Sequence, residues 1–334
     1  MYNRQGKTKS LVEAGLTVAL MVVLVLANLY IPVFGTIVSF ILPIPITVLY
    51  LRQDCKNTIL SIVCTGVIVS LLNNPLIGIS TTISFGIMGI VLGYCIKKDK
   101  SFLTTIIYLA IGFLISTIIK FSMYFLFVDR RGIIAFINDY IKVLNETMDM
   151  YKQIYTKAGV PQEKIQYLEK SMAIFKPEYI VKFIPGVLIV ASFISGFLNY
   201  IITKAILNKL GYKNIKSPIP FSKIYINVRL AAILSIILLI GILLNRKNLS
   251  IGDYLMVSSQ IILQILFIID GLSVAIYYLR NKFNISKGLL FVIILFTMFS
   301  NLSIIYIFIG LLDIVMDFRK LDPYRLNNNK NGGL

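Results

Sequence analysis

Nine predominantly apolar stretches, near residues 11–31, 34–51, 57–72, 76–96, 102–128, 179–207, 224–244, 254–279 and 288–316, alternate with short polar connections. Most approach the ~20 residues with which an α-helix crosses about 30 Å of hydrocarbon. They lack the strict apolar/polar alternation of barrel strands, and a chain in lipid must pair its backbone groups internally, so each stretch is expected to be a helix. The pattern predicts an all-α, polytopic helical membrane bundle of nine spans. The count rises to ten if 288–316, interrupted by Ser300, Asn301 and Ser303, is a hairpin of two short helices.

Residues 129–178 break the rhythm. They hold eight bases and seven acids, and Ile133, Ile137, Tyr140, Leu144, Tyr151 and Tyr155 recur at helical spacing. One apolar stripe on a polar helix, followed by the stop-and-restart Gly159-Val-Pro161, predicts an amphipathic helical hairpin. Its expected place is the extracytoplasmic face, against the membrane surface or as a lid over a pocket. The resulting organisation is a five-helix membrane region (1–128), the hairpin (129–178), the C-terminal membrane helices (179–325) and an Asn/Gly-rich tail (326–334) expected to be disordered.

Composition sharpens the class. Hydrophobic residues make up 57% of the 334 residues and charged ones 14%, with a mean hydropathy of +0.83; soluble domains carry about 45–50% and about 25%. The net charge of +18 does not point to nucleic acid, because the bases fall in short clusters between apolar runs. Arg4, Lys7 and Lys9, the 52–56 and 97–100 turns, and Lys204, Lys209, Lys213, Lys216 and Lys223 alternate with turns poor in charge. By the positive-inside rule the N-terminus is expected on the cytoplasmic side. Arg319, Lys320, Arg325 and Lys330 favour the inside for the C-terminus too, which argues for the broken final hairpin. The first apolar run is too long for a signal-peptide core and has no cleavage site after it, so it is read as a retained span.

Candidate chemistry is sparse. The chain has no histidine, no G-x-x-x-x-G-K-[ST] phosphate loop, no H-E-x-x-H and no G-x-S-x-G. Cys55, Cys64 and Cys95 form no C-x-x-C pair. No catalytic, cofactor or metal residues are assigned, and an enzyme is not expected. Small-xxx-small patterns at Gly15/Ala19, Gly89/Gly93 and Ser192/Gly196 permit close helix approach. Leu42-Pro43-Ile44-Pro45 removes two backbone donors and should break the second span. Asp270 and Arg229 lie at similar depth on successive spans, Asp270 about 24 Å from the outer end, and are expected to form an intramembrane ion pair, since a lone charge in hydrocarbon costs several kcal/mol. Asn28, Asn73, Asn74, Lys120, Gln260 and Gln264 are candidate contacts for a polar solute, or, taken singly, interhelical and interfacial groups.

The opening Leu11-Val-Glu-Ala-Gly-Leu-Thr-Val-Ala-Leu20, then Leu29-Tyr-Ile-Pro-Val33, Leu42-Pro-Ile-Pro45 and Tyr50-Leu-Arg52, together with the ending Gly310-Leu-Leu-Asp-Ile-Val-Met-Asp-Phe-Arg-Lys320, resemble the YybS-like family of bacterial multi-pass membrane proteins. That family is distantly similar to the S-components of energy-coupling-factor transporters. The resemblance implies a six-helix solute-binding core over spans 1–6, extra C-terminal helices, and a transmembrane coupling subunit docked at small residues of the first helix, which here are Gly15 and Ala19.

Two readings stand at this point. One is an S-component-like protein that binds or takes up a small polar solute with a separate coupling subunit. The other is a non-transporting envelope scaffold or regulatory membrane protein. An outward cavity lined by the candidate polar residues separates them.

Overall fold

The computed structural model describes residues 2–31, 38–166, 176–213, 215–300 and 302–322; the expected disordered tail lies outside them. The described residues form helices and no strand. Seven helices are long and apolar enough to cross a membrane: α1 (Tyr2–Tyr30, apolar from Thr8), α3 (Cys55–Leu72), α4 (Pro75–Lys97), α5 (Phe102–Phe127), α7 (Pro177–Lys209), α8 (Val228–Arg246) and α9 (Ser250–Asn281). These account for seven of the nine apolar stretches.

The other two are interrupted where the sequence weakens them. The second is helical over Val38–Arg52, but Leu42 interrupts it and α2 proper runs Pro43–Arg52. Pro43 therefore occupies the first helical position, where a missing N–H costs nothing. The last stretch divides into α10 (Lys287–Phe299) and α11 (Ser303–Met316), bent by 104°. That angle is neither a straight span nor an antiparallel hairpin.

Helix starts follow local chemistry. The side chains of Asn74, Ser101, Asn227 and Ser286 each accept a backbone N–H at the start of α4, α5, α8 and α10, satisfying groups that have no intrahelical partner. The amphipathic α6 (Ile133–Lys157) ends at Gly159, whose φ of +73° suits glycine. Its stripe buries Ile137 but leaves Tyr140, Tyr151 and Tyr155 exposed.

The chain divides into two compact units. The first comprises residues 1–181 and 191–218, so the C-terminal part of α7 belongs with α1–α6. Met21, Val25, Leu42, Ile46, Val69 and Phe85 form one buried cluster, joining α1 to α4, and Met88, Leu92, Ile106, Leu109, Tyr200 and Leu207 another, joining α4, α5 and α7. Small residues permit the contact: a Cβ on Gly89 would lie 2.6 Å from Ile46, on Gly93 2.8 Å from Tyr50, and on Gly196 3.1 Å from Leu109. Gly15 differs, with nothing within 4 Å. Large apolar side chains such as Leu16 and Val23 face outward, as they do where lipid is the solvent.

The second unit comprises residues 182–190 and 219–334. α9 packs on α8, on α11 and on the 3-10 turn Phe221–Lys223. α9 and α11 meet at Gly271 and Gly310, where an added Cβ would overlap the carbonyl oxygen of Tyr306 or Phe267. Lys182 pairs with Asp253 at 2.6 Å.

Candidate functional site

In the first unit, α1, α2, α4, α5 and α7 enclose a cavity of about 680 Å³. Phe40, Leu42, Pro43, Phe85, Met88 and Phe113 form its apolar wall. Its polar lining comes from Asn28 and Ser39, from Thr81 and Ser84 of α4, from Ser116, Thr117 and Lys120 of α5, and from Ser195 and Asn199 of α7. Asn28 on the last turn of α1, Lys120 in the last third of α5, and Thr81 and Ser84 in the first half of α4 place it toward one end of these helices. Such a concave site, largely apolar with a few converging polar groups, is the usual form of a small-molecule pocket.

Three features give the cavity its chemistry. Lys120 is exposed and makes no hydrogen bond or ion pair among the described residues. Asn199 is buried, its Nδ2 donates to the Phe40 carbonyl at 3.3 Å beside the break at Leu42, and its Oδ1 has no partner among the described residues. Asn28 Nδ2 donates to Ser39 Oγ at 3.0 Å. A cation and several hydroxyls therefore line one apolar-walled space, with the buried Asn199 amide in its wall.

Of the expected solute contacts, Asn28 and Lys120 line this cavity and the others do not. Asn73 donates to the Tyr30 hydroxyl at 3.2 Å and Asn74 caps α4; both belong to the α3–α4 turn. Gln260 and Gln264 are exposed on α9 in the second unit. Asn199 was not anticipated. Its available sign was a carboxamide within an apolar span, one turn beyond Ser195, on the helix carrying the Ser192/Gly196 pattern.

At the other end of the same helices the basic turns converge. Arg52 Nε donates to the Tyr212 hydroxyl at 3.0 Å, Lys97 to the Gln53 carbonyl at 3.2 Å, and Lys216 pairs with Asp99 at 2.8 Å. The bond to Tyr212 pushes Arg52 above its ordinary pKa. Gln53 also donates to the Ser10 carbonyl at 2.9 Å and to Glu13 at 3.1 Å, fastening α1 to the α2–α3 turn.

The second unit buries a separate polar cluster. Asp270 is fully buried on α9, and Arg319 supplies its cationic partner at 2.9 Å. The expected partner, Arg229, is exposed on the first turn of α8. Arg319 Nη2 also meets Asp313 at 2.8 Å, and its Nη1 donates to the Ile224 carbonyl at 2.8 Å and to Ser273 Oγ. Depth matching along two helices cannot supply this partner, because Arg319 returns from a turn beyond α11. Asp317, at φ +50°, begins that turn, and its carboxylate accepts the N–H groups of Leu321 and Asp322. Arg319 is thus a buried, paired charge within the second unit.

Among the described residues no group of three or more potential metal ligands occurs. The model of the predicted membrane protein family DUF2232 matches residues 19–314. The chain belongs to this family. It is also 23% identical over 297 residues to the uncharacterized protein YybS of Bacillus subtilis (strain 168), covering 83% of this chain and 86% of that protein. No solved structure gives a significant match.

Proposed function

We propose that the first unit is a receptor for a small polar solute carrying an anionic group and a hydrogen-bond donor. It lies in the bacterial plasma membrane with the cavity outward and the N-terminus in the cytoplasm. The observation that carries this reading is the cavity lined by Lys120 and by the hydroxyls of Thr81, Ser84, Ser116 and Ser195. An anion would complement Lys120, and the polar groups around it would hydrogen-bond the rest of the solute. The convergence of the basic turns at the opposite end of the unit supports the orientation.

The extent of the first unit also supports uptake with a separate coupling subunit. Helices α1–α5 and the C-terminal part of α7 group together, which supports reading spans 1–6 as one solute-binding core. Gly15 and Ala19 face outward, with no described atom within 4 Å of a Cβ placed on Gly15, which supports that face as the one offered to a transmembrane partner. Among the described residues its close-packing potential is unused, unlike that of Gly89 and Gly93.

Thermal unfolding of the purified protein in detergent, across a panel of small anionic, zwitterionic and neutral metabolites, tests the proposal. An anionic or zwitterionic compound should raise the melting temperature of the wild type but not of Lys120→Met. Absence of any stabilising compound across a broad panel would instead favour the envelope-scaffold reading.

A further inference from the structure

The cluster around Arg319 does not balance in charge or in hydrogen bonds. Two carboxyl groups, Asp270 and Asp313, converge on one guanidinium nitrogen at 2.9 and 2.8 Å, and all three side chains are 4% exposed or less. Asp270 Oδ1 additionally accepts the Ile226 N–H at 3.2 Å. The outer oxygens, Asp270 Oδ2 and Asp313 Oδ1, are buried with no partner among the described residues. If both acids were ionised, the buried cluster would carry one negative charge in excess of its arginine, together with two acceptors unpaired among the described residues; both are costly.

We propose that Asp270 and Asp313 form a proton-binding site in the second unit, holding one proton between them opposite Arg319. Asp270 Oδ1 and Asp313 Oδ2 meet at the same nitrogen, Arg319 Nη2, which brings the two carboxyl groups together. One O–H, its proton taken from bulk water and returned there on release, removes the excess charge and lets one carboxyl donate to the other. Paired carboxylates commonly share a proton for this reason. Asp317 and the buried Asp322 lie on the turn that carries Arg319. Lys223 on the 3-10 turn and Arg229 on α8 are exposed, and the Tyr306 hydroxyl on α11 is engaged with Thr297. Because Arg319 also holds the Ser222 and Ile224 carbonyls, the proton fastens α9, α11 and the 3-10 turn to one another.

Infrared spectroscopy and thermal unfolding of the full-length protein in detergent test the site. The wild type at neutral pH should show a protonated carboxylic-acid C=O stretch that disappears in both Asp270→Asn and Asp313→Asn. Raising the pH should strip the proton and lower the wild-type melting temperature. Asp313→Asn leaves one carboxylate opposite one arginine, so its melting temperature should change less with pH. The double Asn variant strands Arg319 and should melt lowest of the four. Should the single variants fail to fold, the wild-type acid band and its loss at alkaline pH still decide the matter. A wild type without that band, or one stabilised by sodium over choline without it, overturns the proposal; the latter would mark an alkali-cation site.

Discussion

Replacing Gly310 by alanine should unfasten the second unit. The added Cβ would overlap the Phe267 carbonyl oxygen and lie 2.8 Å from its carbon and 2.9 Å from the Gly271 nitrogen. Backbone atoms cannot rotate aside as a side chain would, so clearing the Phe267 carbonyl oxygen to an ordinary contact of 3.4 Å needs α9 and α11 to separate by more than about 1 Å. A gap of that size forfeits about half or more of the dispersion energy along the seam, and overpacking typically costs about 1–3 kcal/mol. Helix propensity returns about 1 kcal/mol for glycine to alanine. Asp313 lies one turn from Gly310 and Asp270 beside Gly271, so the same displacement strains the Arg319 pairs; breaking a buried pair costs about 3–5 kcal/mol. A net loss of about 2 kcal/mol or more follows, read as a lower SDS mole fraction at the midpoint of unfolding in mixed micelles. Gly288→Ala is the control. It stands on the first turn of α10 with nothing within 4 Å, and should unfold at or slightly above the wild-type midpoint. Equal midpoints for the two variants would refute the assignment of the α9–α11 crossing.

Asn199→Leu should abolish solute stabilisation while changing unliganded stability by only about 1 kcal/mol, because it removes both the bond to Phe40 and the orphaned acceptor; retained stabilisation in a ligand titration would separate Asn199 from binding. Cys55, exposed at the start of α3 between Arg52 and Lys56, should react with an impermeant maleimide only after the membrane is opened, in a Cys64→Ala background; labelling of intact cells would reverse the proposed orientation. Hydrogen bonds from Arg131 hold Asp129 below the ordinary carboxylate pKa. Their contribution is present above the unfolded value of 3.8 and fades as pH falls through the lower folded value. Asp129→Asn at neutral pH should accordingly raise protease cleavage in the connection before α6, and unchanged cleavage would deny that connection its Arg131 anchor.

The arrangement of spans was written in the chain because lipid imposes a one-dimensional demand. A segment that crosses hydrocarbon must be apolar over most of its length and helical throughout. That demand made α1, α3–α5 and α7–α9 readable, and the prolines after Leu42 and the polar residues around Ser300 foretold the two interrupted stretches. Asn28 and Lys120 were legible as cavity residues because polar groups are conspicuous in an oily run. Tertiary structure alone decided the rest, because lateral position and rotation about each helix axis leave little trace in hydropathy. Asn73 and Asn74 share the polarity of Asn28, yet a turn consumes them as a hydrogen-bond donor and a helix cap. Depth along successive helices nominated Arg229 as the partner of Asp270. Arg319 takes that position because a left-handed turn at Asp317 and the glycine crossing of α9 with α11 carry it back into the bundle.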